Sequence, residues 1–361
     1  MNLAVRDDPQ GALPLMETVL RDGGSLAPDY PLVFEEGRSG RVVIAEDGGS
    51  VRSTCALLER DLIFGEDRIS VGLIGSVSTA EDFRGRGLAT AVLDHAEAEL
   101  LKRGCFASLL WADSAEFYLG RGYREIGSEC DFGLPHTLAP FLPLSESVVE
   151  AHPSQFAELH ELYCDHSSRV DRQYEESCAL YATPGMQIVV ELHGGHPVAY
   201  ACYGRGHDLQ GVIHEWAGET EGVLACIRSL IEEHTPTREG QAIFLMAPDL
   251  ESGEELTRRL LDADVPSAHG VLAMGKLLDV GAATDRVRAA SSDPLVVRLV
   301  SDQSVEFTGP AGSLACDASD LMELLLPPRG DRTFLKRAER TLGVEFPALP
   351  LNPFLWGLDS I

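Results

Sequence analysis

The order of apolar and polar positions divides this chain into three blocks. In the first, residues 41–46 (RVVIAE) predict a strand, Asp47-Gly48-Gly49 is a hairpin-turn signal, and residues 51–59 (VRSTCALLE) predict the returning partner. Gly65-Glu66-Asp67 marks another turn, and residues 68–77 (RISVGLIGSV) predict a further strand. After Arg84-Gly85-Arg86-Gly87, Leu88, Val92, Ala96 and Leu100 recur every four residues, flanked by Leu93 and Leu101. That spacing lays one apolar stripe along an amphipathic helix. Lys102 and Arg103 fall in its last turn, where cations complement the negative end of the dipole, and Gly104 is a natural stop. A short apolar strand at 106–111 (FASLLW), a polar helix start at Asp113-Ser114, and Arg121-Gly122-Tyr123 leading into a final strand carry the block to about Leu134.

Pro135, Pro140, Pro143 and Pro153 mark a linker. The second block repeats a similar order, with a helix over roughly 153–166, strands at 187–192, 197–203 and 211–216, a helix at 221–234, a strand at 241–247, a helix at 253–262 and a last strand at 271–277. It reads as a diverged copy of the first, without an Arg/Gly turn before its helix at 221. The third block is small: a hairpin of 295–300 with 303–308, an extension at 313–316, a helix from Leu321 to Leu326, and a proline-broken apolar tail at 346–361. Such a tail is an aggregation liability when exposed, so it is expected to dock on the body of the protein. The expected domains are 1–135, 145–279 and 280–361. The fold class is α+β (α/β), with mixed sheets flanked by helices and a small α+β C-terminal domain.

Composition narrows the class. At about 150 residues per domain, 361 residues give two to three domains. Hydrophobic residues are 44% and charged residues 24%, which excludes a disordered chain. The 57 acidic residues outnumber 29 basic ones, for a net charge of −28, which argues against binding to nucleic acid. No run of about 18 apolar residues occurs, so no membrane partner is expected. The start lacks the order of a signal peptide, and none of the eight cysteines forms a C-x-x-C pair. They read as reduced, mostly buried thiols of a cytoplasmic protein.

The strongest chemical signal is Arg84-Gly85-Arg86-Gly87-Leu88-Ala89-Thr90, between a strand and a helix. Glycines let the backbone approach a bulky anion, and a helix start offers free N–H groups and the positive end of the dipole. Alone, the segment is also an ordinary glycine turn with solvated arginines. Its context is more specific. Ser76-Val77-Ser78-Thr79 lies at the preceding strand end, and Phe117-Tyr118 and Gly122-Tyr123 follow.

This arrangement resembles the GNAT (GCN5-related N-acetyltransferase) family. The family motif Arg/Gln-x-x-Gly-x-Gly/Ala is matched by Arg84-x-x-Gly87-x-Ala89, and its Phe-Tyr and Gly-Phe/Tyr landmarks by Phe117-Tyr118 and Gly122-Tyr123. The order of the three blocks resembles the Eis (enhanced intracellular survival) type, which has tandem GNAT domains and a small sterol-carrier-like domain. The third block, at about 80 residues, is shorter than that domain. The resemblance implies acetyl-CoA as co-substrate. Its acetyl-pantetheine part would contact Val77, Ser78 and Thr79, and its phosphates would lie on Gly85 through Thr90. Its arm would be bordered by Asp113 and Ser114, between strands ending at Val77 and Trp111. Arg84 and Arg86 would add positive charge against the anion.

The resemblance also implies Tyr118 as general acid and the C-terminal carboxylate, here that of Ile361, as base. A backbone N–H at Val77 or Ser78 suits an oxyanion. A phenol with a pKa of about 10 suits a departing thiolate whose thiol has a pKa of about 8.5. The plainer readings are a Tyr118 packed on the core and a tail that merely packs.

The implied activity is direct acetyl transfer to a primary amine of a small molecule or peptide. Cationic acceptors, polycations included, would suit an acidic protein. A longer acyl-CoA and a non-catalytic acyl-CoA-binding sensor or scaffold are the alternatives, and a homo-oligomer fits the resemblance. Weaker candidates are Glu81 and Asp82 as a proton relay in a solvated loop, and His214-Glu215-Trp216 as acceptor-pocket lining on an alternating strand. His193 and His196 flank a hairpin turn and make a poor metal case, so no metal is expected. No G-x-S-x-G, H-E-x-x-H or Walker pattern is present.

Overall fold

The computed structural model describes residues 2–6, 9–112, 114–234, 242–249 and 254–361. Two large sheets and one small sheet organise them. The first sheet runs Asn2–Arg6, Arg41–Asp47, Ser50–Phe64, Asp67–Thr79, Ala107–Leu110, Ala273–Leu277, Arg124–Ile126, with Ser168–Val170 added to the far end of Ser50–Phe64. The second runs Ser267–Gly270, Glu129–Pro135, Ala242–Pro248, Val212–Gly218, His196–Tyr203, Gln187–His193, Val148–Glu150. The third is Val296–Ser301, Ser304–Thr308 and Ser313–Asp317, covered by the helices Ala318–Leu325 and Thr333–Leu342.

The stripe read from the sequence forms the helix Leu88–Lys102, whose Leu88, Val92, Leu93, Ala96 and Leu100 are buried against the first sheet. The N-terminal strand and the helices Leu13–Leu20 and Pro31–Phe34 were not foreseen. They are short and carry too few turns to show a period.

The larger departure is an exchange of strands between the two big sheets. Arg124–Ile126 stays in the first sheet, but the chain then crosses, and Glu129–Pro135 pairs with Ala242–Pro248 in the second. In return Ala273–Leu277, expected as the last strand of the second block, inserts between Ala107–Leu110 and Arg124–Ile126. Gly127 sits at the crossing with φ +65, where a Cβ would lie 2.7 Å from that of Leu272. Only glycine meets both demands.

The tail docks as expected. Phe346, Phe354 and Trp356 are fully buried, and each such phenylalanine contributes about 1.5–3 kcal/mol. The Trp356 indole N–H donates to the Ser168 carbonyl at 3.1 Å, and its ring stacks on His166 at 4.2 Å. All eight cysteines are free thiols. No helix among the described residues is long and apolar enough to cross a membrane.

Glu129, on the exchanged strand, gives the fold a pH dependence. Burial, and then the Asp131 carboxylate, push its pKa up to about 8. An unfolded glutamate titrates near about 4.3, so this group's stabilising contribution is complete below that pH and is lost as pH rises through 8. Glu129→Gln is therefore expected to raise the Tm at pH 8.5 and leave it unchanged at pH 4. A Tm change of equal size at both pH values would contradict this.

Candidate functional site

The glycine turn lies at the end of the central strand Asp67–Thr79. Gly85 and Gly87 have φ +73 and +76, and a Cβ on either would meet nothing within 4 Å. The turn thus needs glycine for its backbone, and the space above it is open. Gly87 caps the helix Leu88–Lys102, and among the described residues there is no side-chain cap hydrogen bond at its start. Its leading N–H groups, those of Leu88, Ala89 and Thr90, carry the positive end of the dipole unblocked. Leu88 buries its side chain, so only its backbone faces the turn.

Arg84 and Arg86 are exposed. Arg86 donates to the Asp82 carbonyl at 2.7 Å, and Arg84 to that of Thr79 at 3.4 Å. Sequence reasoning missed a third guanidinium here. Arg52 and Arg86 each lie 4.6 Å from the Phe83 ring centroid, on the same short turn. The Arg52 carbonyl accepts from the Ala80 N–H at 2.9 Å, fixing it beside the turn. Glu81 and Asp82 are exposed beside it.

The strand leading to this turn is broken in a specific way. Thr54 pairs with Ser78 and Ala56 with Gly75, so Ser76 and Val77 together oppose Cys55. That is a β-bulge, and Ser76 takes φ +50 within it. A bulge leaves an extra residue outside the ladder. Ser78 is buried and its carbonyl accepts from Ser53 Oγ at 3.1 Å, while Thr79 Oγ1 lies 2.8 Å from the same hydroxyl. Beside the bulge the sheet parts. Asp67–Thr79 and Ala107–Leu110 run parallel and pair only across residues 71–73 and 107–109. Beyond those residues, and short of the bulge, no further pairing joins the two strands among the described residues.

The C-terminus reaches this point. A Cβ on Gly75 would lie 2.5 Å from the Ile361 carbonyl oxygen and 2.6 Å from its carbon. The backbone C=O group of Ile361 therefore rests directly on the backbone of Gly75, next to the bulge. Gly75 shares a face with Val71 and Leu73, two residues apart along the strand. Tyr118, in the short helix Ala115–Leu119, packs with Val77 against the cluster containing Ile74, on the other face. Tyr118 and Ile361 thus lie against opposite faces of this strand.

Tyr118 is half-buried and meets Tyr123 edge-to-face at 5.7 Å. Tyr123 is a fixed support. Its hydroxyl lies 3.0 Å from Ser108 Oγ and 3.2 Å from Glu97 Oε1, and Glu97 also accepts from Lys276 at 2.6 Å. Burial, then Glu97, hold the Tyr123 pKa well above its ordinary value, so it stays a neutral donor. Ser114 is exposed and precedes the helix of Tyr118 without a capping bond. Asp113 lies outside the described residues.

The tail is held by a buried ionic cluster that sequence reasoning did not assemble. Arg172 donates to Asp359 at 2.7 and 2.8 Å and to Glu215 at 2.6 Å, and all three side chains are fully buried. Tyr163 donates to Asp359 at 2.9 Å, and Tyr200 to Glu215 at 2.9 Å. Arg205 donates to the Gly357 carbonyl at 2.7 Å and to Ser360 Oγ at 3.0 Å.

His214, Glu215 and Trp216 are all buried, so burial does not alternate along this stretch, and of the three Trp216 borders a cavity that Leu162 and Val223 also line. Burial, and then Arg205, hold His214 neutral with a pKa near 3. Its side chain packs under Gly357, where a Cβ would come within 2.5 Å of the His214 Cβ. His193 and His196 flank the hairpin turn at Gly194 and Gly195.

Comparison with known proteins shows which fold this chain shares. The whole chain superposes on a GCN5-related N-acetyltransferase from Anabaena variabilis with a TM-score of 0.63, at 16% identity over 100% of both chains. It superposes on Eis1 from Mycobacterium abscessus with a TM-score of 0.59, at 15% identity over 98% of this chain and 99% of that one. The fold is therefore that of GNAT acetyltransferases along its full length. Residues 7–126 match the acetyltransferase (GNAT) domain family. It is also 34% identical over 76 residues to an aminoglycoside 2'-N-acetyltransferase of Mycolicibacterium fortuitum, across 21% of this chain and 39% of that protein.

Proposed function

We propose that this protein transfers an acetyl group from acetyl-CoA to a primary amine, by direct attack within a ternary complex. The observation that carries the reading is the terminal carboxyl group of Ile361 on Gly75, beside a bulge at the parting of two parallel strands. The phosphates would lie on Gly85 through Thr90, with Arg84, Arg86 and Arg52 around them. The pantetheine arm would add to the parted strand along Val77, Ser78 and Thr79, past Ser114. An N–H of Val77 or Ser78 would meet the charge that develops on the thioester oxygen. The Ile361 carboxylate would take the proton that the amine must lose, and the Tyr118 hydroxyl would protonate the departing sulfur on the opposite face. The acetyltransferase relative, named for an aminoglycoside, supports a small-molecule amine as acceptor, and the net charge of −28 favours cationic ones.

Calorimetric titration with acetyl-CoA, followed by thiol release over an amine panel, tests this. Binding and amine-dependent release are expected. Tyr118→Phe should lower kcat about 10²-fold with acetyl-CoA affinity unchanged. No binding at millimolar acetyl-CoA would overturn the reading. Binding without thiol release for any amine would instead establish a cofactor sensor.

A further inference from the structure

Arg172 and Arg205 hold the same tail by different chemistry. Arg172 meets two carboxylates. Arg205, fully buried in the loop that follows His196–Tyr203, meets two carbonyls and a hydroxyl. Its Nη1 donates to the Gly357 carbonyl at 2.7 Å and to the Ser360 carbonyl at 3.3 Å, and its Nη2 donates to Ser360 Oγ at 3.0 Å. The Ser360 hydroxyl donates in turn to the Gly357 carbonyl at 2.8 Å. Among the described residues Arg205 has no ion pair with a carboxylate side chain, and its Nε has no hydrogen-bond partner.

A buried cation is costly unless an anion faces it. The acids around Arg205 are committed elsewhere. Asp359 is bound by Arg172 at 2.7 Å, and Asp208 by Arg21 at 2.5 Å and by the Tyr30 hydroxyl. Asp29 accepts from the His207 N–H at 3.3 Å and lies 3.7 Å from Arg21. Arg205 and Ile361 line one small cavity, and the carboxylate that ends the chain is one residue beyond Ser360. It is the counter-charge left for this guanidinium.

The loop is also fixed before any substrate arrives. His214 Nε2 donates to the Gly204 carbonyl at 3.1 Å, and the Leu209 N–H donates to the Arg205 carbonyl at 3.2 Å. The first domain closes over it from the other side. The Arg205 guanidinium lies 4.7 Å from the Tyr30 ring centroid, and Gly206 leaves no room for a Cβ against the Asp29 carboxyl group.

We propose that Arg205 is a positioning residue for acetyl transfer, whose guanidinium fork holds both ends of the final turn, Gly357 to Ser360, and so sets the Ile361 carboxylate at Gly75. The proposal rests on the reading of that carboxylate as the base. It gives the second domain, which has no Arg/Gly turn before its helix, a part in the reaction: it fixes the base of its neighbour. A displacement of about 1 Å at a reacting group costs on the order of 10²-fold in rate.

Thiol release from acetyl-CoA, with the fastest amine of the panel, is measured for the parent, Arg205→Lys and Arg205→Met, each with and without Ile361. Lysine keeps the buried charge but lacks the fork that spans Gly357 and Ser360, so it carries the test if methionine lowers the Tm. In the full chain both substitutions should lower kcat about tenfold or more, with the KM for acetyl-CoA unchanged. In the chain lacking Ile361 either should change kcat by less than about twofold, because the group they position is gone. Parent-like kcat in full-length Arg205→Lys, or an equal fall with Ile361 absent, would overturn the proposal while leaving the base in place. No release from the parent, or parent-like kcat on removing Ile361 alone, would remove the reading beneath it and the proposal with it.

Discussion

Removing Ile361 alone is expected to lower kcat by about 10²–10⁴ while leaving Tm and acetyl-CoA affinity near their parent values. The carboxyl group that rests on Gly75 would then end one residue short, too far to accept a proton at the same point. A larger deletion would be a poorer experiment. Asp359 is a fully buried partner of Arg172, so loss of the last three residues would also strip the clamp that docks the tail. Gly75→Ala makes the reciprocal change, because its methyl group would occupy the place of the carboxyl group. Unchanged turnover in the chain lacking Ile361 would remove the terminal carboxylate from the mechanism and leave a tail that only packs.

Arg172→Met is expected to destabilise the protein by about 3–5 kcal/mol, read by urea unfolding. The arginine is shared by Asp359 and Glu215, both fully buried; its loss leaves Glu215 without its buried counter-charge and Asp359 with only the more distant Arg60 guanidinium, at 3.7 Å. Its guanidinium also lies 3.9 Å from the Tyr163 ring centroid. Adding Asp359→Asn and Glu215→Gln should recover part of the loss, since neutral amides remove the repulsion that the single change creates. A loss below about 1 kcal/mol in the single variant would show that the cluster does not hold the tail.

The N-terminal part of the fold was legible because its signals are local. A stripe at spacing four, a glycine turn at a strand end and a Phe-Tyr pair each lie within one or two elements, and the structure sets Gly85, Gly87 and Tyr118 around one parting of strands. The docking of the tail was legible from its apolar composition. The strand exchange was not, because Ala273–Leu277 finds its partners near residues 107 and 124, and no local pattern records a partner so distant. Arg172, Glu215 and Asp359 were likewise scattered along the chain. A usable signal did exist: Glu215 lies within the apolar run VIHEWAG and Asp359 within LWGLDSI. A charge inside a segment destined for burial demands an opposite charge elsewhere. The bulge at Ser76 and Val77 was invisible because register is a property of two strands.

The exchanged strands also set a timetable. A chain emerging from the ribosome folds from its N-terminus as it appears, at about 5–20 residues per second. The first sheet cannot close when residue 126 emerges, because the strand that belongs between Ala107–Leu110 and Arg124–Ile126 is Ala273–Leu277. For the several seconds needed to make the intervening residues, Ala107–Leu110 presents an unsatisfied edge to its surroundings. Glu129–Pro135 waits in the same way for Ala242–Pro248. The two halves must therefore mature together, and a gene cut at the proline-rich linker would yield two incomplete products.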